Sequence, residues 1–270
     1  MAGARSGTVR RRRSARTGRS GGQLVIDRVL DSKQRAAAGR LLDQESAVRR
    51  NVVVSLSGAH AYGFPSPDSD LDLKAIHVAP TERLLGLSPP PQSAPDRIEL
   101  LDGVEVDYSS NEIQPDLVGI LQGNGNFIEQ VLSRFVLRSS PEHDSVREVV
   151  KRSLSRRLHR PYRGFATGQL REWEKDGFRS AKKLLYVLRT TLTGTHALLT
   201  REIETDVILL LDAHGFGAAR ELVEAKRRRE KSELASEVAE RWKGTVGRTF
   251  DLLDSALERS ELPEEATLQR

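Results

Sequence analysis

An alternating run, Leu71-Asp72-Leu73-Lys74-Ala75 with Asp70 before it, constrains this chain more than any other feature. A period of two marks a strand that buries one face only. The apolar set is Leu71, Leu73 and Ala75; the other set is Asp70, Asp72 and Lys74. Such a strand needs a hydrophobic layer on one side. On the other it needs something that makes two neighbouring carboxylates tolerable, because carboxylates taken out of water without partners are costly. Upstream, "NVVVSLSG" reads as a buried strand ended by Ser57 and Gly58, and a short helical stretch is expected over 59–62.

The rest of the chain divides around these strands. Residues 27–49 carry Val29, Leu30, Ala36 to Ala38, Leu41 and Leu42 at helical spacing and predict one amphipathic helix. "SPPPQSAP" (88–95) is a proline loop that cannot enter a sheet interior. "RIELL" and "VEVDYS" flank Asp102-Gly103, a strong hairpin signal, so a small sheet of about four strands is expected. After Asn111 the pattern turns helical. Two short helices are expected over 114–137, broken at "GNGN", then helices over 144–158, 163–175, 179–198, 203–213, 216–229 and 232–258. The layout is α+β. A catalytic α/β unit is expected over 23–115 and a helical domain over 116–260, between a basic tail (1–22) and a frayed end (261–270).

Charge is unevenly spread. Removing the seven arginines of residues 1–22 takes the formal charge from +5 to −2, so the body is close to neutral. The tail is rich in Arg, Ser and Gly, and disorder is expected there. It reads either as an arm that contacts nucleic-acid phosphates or as a dispensable extension. No apolar stretch follows its charges, so no secretory signal is expected. No apolar run approaches the ~18 residues of a membrane span. The absence of cysteine excludes thiolate zinc sites, disulfides and cysteine nucleophiles, and fits a cytoplasmic protein.

On one strand, Asp70 and Asp72 point the same way with Cα atoms about 6.5–7 Å apart. Carboxylates this close repel, and each takes up a proton unless a cation sits between them. Mg2+ or Mn2+ resolves the conflict, since hard cations prefer oxygen ligands. "VEVDY" offers a third acid, Asp107, with Glu105 on the same face. Gly58, after a strand and before a helical turn, is placed to hold phosphates on backbone N–H groups. Two metal ions there would activate an attacking hydroxyl and stabilise leaving pyrophosphate. A bare Asp-x-Asp also fits a solvated edge strand; the glycine turn and Asp107 favour the cation site.

In combination these residues resemble the DNA polymerase β nucleotidyltransferase superfamily, whose signature is a strand, Gly-Ser or Gly-Gly, about ten residues, Asp-x-Asp and a later third acid. The likeness is closest to a branch of predicted RNA-repair nucleotidyltransferases that often sit beside RNA ligases. Its members read like "GSHAYGFPSPDSDYD", against "SGAHAYGFPSPDSDLD" here. "EVDYSSNEI", "QGNGNFIEQVL" and "KKLLYVLR" resemble later blocks of that branch, so the likeness spans about residues 50–200. The resemblance implies a small mixed, palm-like sheet backed by a helical domain. It implies transfer of NMP from an NTP donor to a hydroxyl, with Asp70, Asp72 and Asp107 as catalytic metal ligands. The nucleotide would meet Ser57, Gly58, Ala59 and His60, together with Lys182, Tyr186 and Arg189. Those last three share one helix face at i, i+4 and i+7, beside an apolar stripe of Leu185, Leu188 and Leu192. They also fit a snorkelling helix surface.

There are two departures: Ala59 stands where the family has serine, and Ser110-Asn111 where it has a glycine-aromatic pair. The expected acceptor is an RNA or DNA 3′ end. Transfer to tRNA, a protein hydroxyl or a small molecule stands as a related reading, and a non-catalytic nucleotide or RNA-binding module as a different one. His60 reads as a phosphate contact or a local structural group, and His77 as packed or exposed. His143, His159, His196 and His214 lack ligand spacing, and "KRRREK" (226–231) reads as a solvated helix face or an RNA contact.

Overall fold

The computed structural model describes residues 21–228 and 233–266. Two helices, α1 (Gly21–Val29) and α2 (Ser32–Val48), lead into β1 (Arg50–Leu56), the short α3 (Gly58–Ala61) and β2 (Leu71–Val78). Then come α4 (Thr81–Leu84), the hairpin β3 (Arg97–Leu101) and β4 (Val104–Glu112), α5 (Ile113–Leu121), α6 (Gly125–Leu132) and β5 (Val136–Ser139). Seven further helices follow: α7 (His143–Arg152), α8 (His159–Lys175), α9 (Ala181–Thr200), α10 (Val207–Ala213), α11 (Arg220–Arg228), α12 (Ser236–Thr245) and α13 (Gly247–Arg259).

The sheet is mixed, with order β3-β4-β2-β1-β5. β2 and β4 run parallel, which the crossover through the proline loop permits, and the other pairs are antiparallel. Asp102 and Gly103 both take positive φ, 52° and 80°, as a tight two-residue hairpin turn demands. One sheet face is dry. Val54, Leu56, Leu71, Leu73, Ala75, Val106 and Tyr108 pack there against Ala37, Ala38, Leu41 and Leu42 of α2. The opposite face is apolar at one end, where Val53 and Ile76 meet Ile120, Ile128, Val131 and Leu132. At the other end it carries Ser55, Asp72, Lys74, Asp107 and Ser109. Behind it stands the helical region, centred on α9, where Leu185, Leu188 and Leu192 are fully buried.

Several expectations change. The helix foreseen over 27–49 is two helices. Asp31 accepts from Gln34 N at 2.9 Å while Gln34 Oε1 accepts from Asp31 N at 3.0 Å, and this reciprocal cap starts α2 afresh. The sheet has five strands, because Val136–Ser139, foreseen in part as helix, pairs with β1. The long helix expected over 232–258 breaks into α12 and α13 at Val246. Residues 261–266 are held: Leu262 is buried and Arg156 N donates to the Pro263 carbonyl at 2.8 Å. The arginine-rich segment, up to residue 20, lies outside the described residues, as do 267–270.

Candidate active site

The parallel register sets Asp72 opposite Asp107. Their neighbours Leu71, Leu73, Val106 and Tyr108 are all fully buried on the dry face, so both carboxylates are turned to the polar one. Asp70 precedes β2 rather than lying on it, and it is exposed. Two residues further along, Lys74 Nζ donates to Ser109 Oγ at 2.9 Å and extends the polar row.

Gly58 closes over these acids. Its φ of +60° suits glycine, and a Cβ there would stand 1.7 Å from Asp72 Oδ2. Any side chain would displace the carboxylate. Ser57 N donates to the Asp72 carbonyl at 2.9 Å, stitching the turn to the strand. Burial pushes the Asp72 pKa up; Asp107 and Asp70 push it the same way, while Lys74 and Lys182 pull it down. The chain's own cations thus leave Asp72 short of positive charge. That shortage, and an all-oxygen donor set, fit a hard divalent cation. Among the described residues no three acidic or histidine side chains stand close enough to hold a metal ion as they are. Asp70 stands on the exposed approach to the strand, outside β2.

The other foreseen positions separate. Ser57 Oγ and Tyr62 OH lie 3.2 Å apart and line a cleft of about 310 Å³ with Lys74 and Ser109. Ala59 instead packs into the apolar cluster of α9, α10 and α11. His60 is buried behind the turn. Gln34 Oε1 is already accepting from Asp31 N, so Gln34 Nε2 donates to His60 Nε2 at 3.0 Å, consistent with a neutral ring whose pKa burial lowers. On α9, Lys182 is half-buried and acts electrostatically on Asp72. Tyr186 packs edge-on against Tyr62 and Phe64, with centroids 5.7 and 5.9 Å away. Arg189 is 2% exposed: it binds both oxygens of Glu129 at 2.8–2.9 Å, lies 4.2 Å from the Tyr62 ring centre, and Tyr162 OH donates to the same carboxylate at 3.0 Å. Burial opposes its charge more than any single neighbour favours it, but Glu129 together with Tyr62, Tyr162 and Tyr186 outweighs burial and the pKa rises. Lys182 and Tyr186 thus stay with the acids and the turn, while Arg189 is committed to a buried ion pair.

With this geometry in place, residues 36–270 match the model of the RNA repair pathway DNA polymerase beta family. The chain belongs to that family. The uncharacterized protein MJ0002 of Methanocaldococcus jannaschii is 31% identical to it over 155 residues, 57% of this chain and 63% of that protein, so the match spans less than two thirds of the relative's length. A crystal structure of a nucleotidyltransferase-like protein from Exiguobacterium sibiricum is a looser likeness, with a TM-score of 0.34 and 10% identity over 83% of this chain and 74% of that one.

For this member of the RNA repair pathway DNA polymerase beta family, the structure adds residues to the site's frame that sequence reading missed. Lys226, in a run expected to be solvated, is fully buried and donates to Ser66 Oγ at 2.9 Å and Ser69 Oγ at 3.5 Å. Arg227 donates to the Gly63 carbonyl at 2.8 Å. Helix α11 therefore grips the loop between the glycine turn and Asp70. No local signal reveals this, because the partners lie 160 residues apart.

Proposed function

We propose that this chain is a nucleotidyltransferase that moves a nucleoside monophosphate from an NTP to the 3′-hydroxyl of an RNA and releases pyrophosphate. The observation that carries the reading is the register partnership of Asp72 and Asp107 under the Gly58 turn. Membership of a family described by RNA repair supports the acceptor class. Asp70, Asp72 and Asp107 would hold Mg2+ or Mn2+, which when bound neutralises phosphate charge and makes the acceptor hydroxyl easier to deprotonate.

The chain's own groups do the rest. The N–H groups that open the turn after Ser57 have no acceptor within it and would grip the triphosphate tail. Lys182 would add charge to the same place. Asp107 would orient the attacking hydroxyl and accept its proton. The Ala59 methyl is committed to the apolar cluster, so Ser57 is the hydroxyl left beside the turn to touch a phosphate.

The test is incubation with each labelled NTP, Mg2+ or Mn2+, and a panel of RNAs and DNAs, with an Asp72→Ala control. Label on an RNA 3′ end that the control abolishes is the expected result. NTP and RNA binding without transfer by the unaltered chain would instead indicate a binding module. Label on a protein or small molecule would move the acceptor.

A further inference from the structure

The cleft beside the acids and a larger groove of about 820 Å³ adjoin each other, with Asn126 and Glu129 lining both. The α5–α6 loop, the start of α8 and the middle of α9 build this groove. We propose that it seats the last nucleotides of a single-stranded RNA acceptor and delivers the 3′ end toward Asp107; this rests on the transferase reading above.

Charge and shape select that occupant. On the groove floor Arg189 is offset by Glu129, leaving Arg160 as the uncompensated positive charge among the groove's lining, beside Arg157. Among the described residues Arg160 has no acidic partner. Arg157 is held by Glu265 at 2.5 Å in a pair exposed on both sides, which an RNA phosphate can displace because exposed pairs are weak. Phe165 lines the same groove and is 42% exposed, which leaves aromatic surface on which a base can stack. Arginines that track a backbone beside an aromatic platform are what a single strand needs, since unstacked bases offer open faces. A duplex keeps its bases stacked and cannot use Phe165. The NTP has its own proposed anchors at Gly58 and the acids, none of which lines this groove.

The experiment uses the full chain and a 5′-labelled eight-nucleotide RNA with a free 3′-hydroxyl, read by fluorescence anisotropy across a KCl series without NTP. Arg160→Gln is expected to weaken binding and reduce the slope of log K against log salt by about 0.7, the loss of one single-strand phosphate contact. Phe165→Ala is expected to weaken binding about tenfold with the slope unchanged, at the low end of base stacking. Both side chains are exposed, and an unchanged melting temperature checks the fold. ATP affinity, measured separately, should not move. Unaltered RNA affinity in both variants overturns the proposal. So does a loss of ATP affinity in place of RNA affinity, or equally tight binding of a duplex of the same sequence. Because binding is read without turnover, a wild-type chain that transfers no nucleotide refutes the transferase reading alone.

Discussion

The two faces of the five-stranded sheet are built from the same strands by opposite rules. On β2, Leu71, Leu73 and Ala75 face α2 and are almost wholly out of water, whereas Asp72 and Lys74 on alternate positions face the cleft half-buried. The dry face holds the strands in place through burial, at about 25 cal/mol per Å² of apolar surface. The polar face carries unfavourable charge: burial and two neighbouring carboxylates all raise the Asp72 pKa. The site is therefore a local loss of stability supported by the layer behind it.

Substitutions on either face should therefore separate chemistry from stability. Asp72→Asn is expected to reduce transfer at least about a thousandfold by removing a metal ligand. Because it also removes a repelled carboxylate, the melting temperature should hold or rise. A single-turnover assay paired with calorimetry reads both. Leu73→Ala, on the neighbouring residue, should do the reverse. It is expected to cost about 2–5 kcal/mol in a denaturant titration while the folded fraction keeps its metal requirement.

Lys226→Met should fall between the two. Helix α11 loses its grip on Ser66 and Ser69 in the loop that presents Asp70, so the Mg2+ concentration for half-maximal activity should rise about tenfold, with a cost below that of Leu73→Ala, about 1–3 kcal/mol for the lost buried charge-assisted hydrogen bonds. The smallest effect is expected at Asp116, buried in the first turn of α5 with a pKa that burial raises to about 7. The folded chain binds this proton more tightly than the unfolded one, so the associated stability is full at low pH and lost as pH climbs toward 7 and beyond. Asp116→Asn should raise the melting temperature by roughly 2–4 °C at pH 8 and leave it unchanged near pH 4.

Much of this was legible wherever the physics is local. The period-two run gave the orientation of Asp72 and Lys74, Asp102-Gly103 gave the hairpin, and the leucine stripe on α9 lies where its spacing predicts. Four features escaped for three reasons. The break at Asp31 rests on a reciprocal side-chain cap inside an otherwise helical pattern. β5 is four residues long and exists because β1 offers it an edge. The Arg189–Glu129 pair and the Lys226 clamp join residues 60 and 160 apart, and helical periodicity treats a buried cation like any surface one.

Val106 and Tyr108 never approach a substrate, yet they aim Asp107. They bracket it on β4 and are fully buried against α2 and its neighbours. A slip of β4 by one residue would turn both out of the oil and rotate the aspartate to the wrong side of the sheet. The greasy pair thus acts as a gunsight: the alignment of the chemistry is held by side chains that take no part in it.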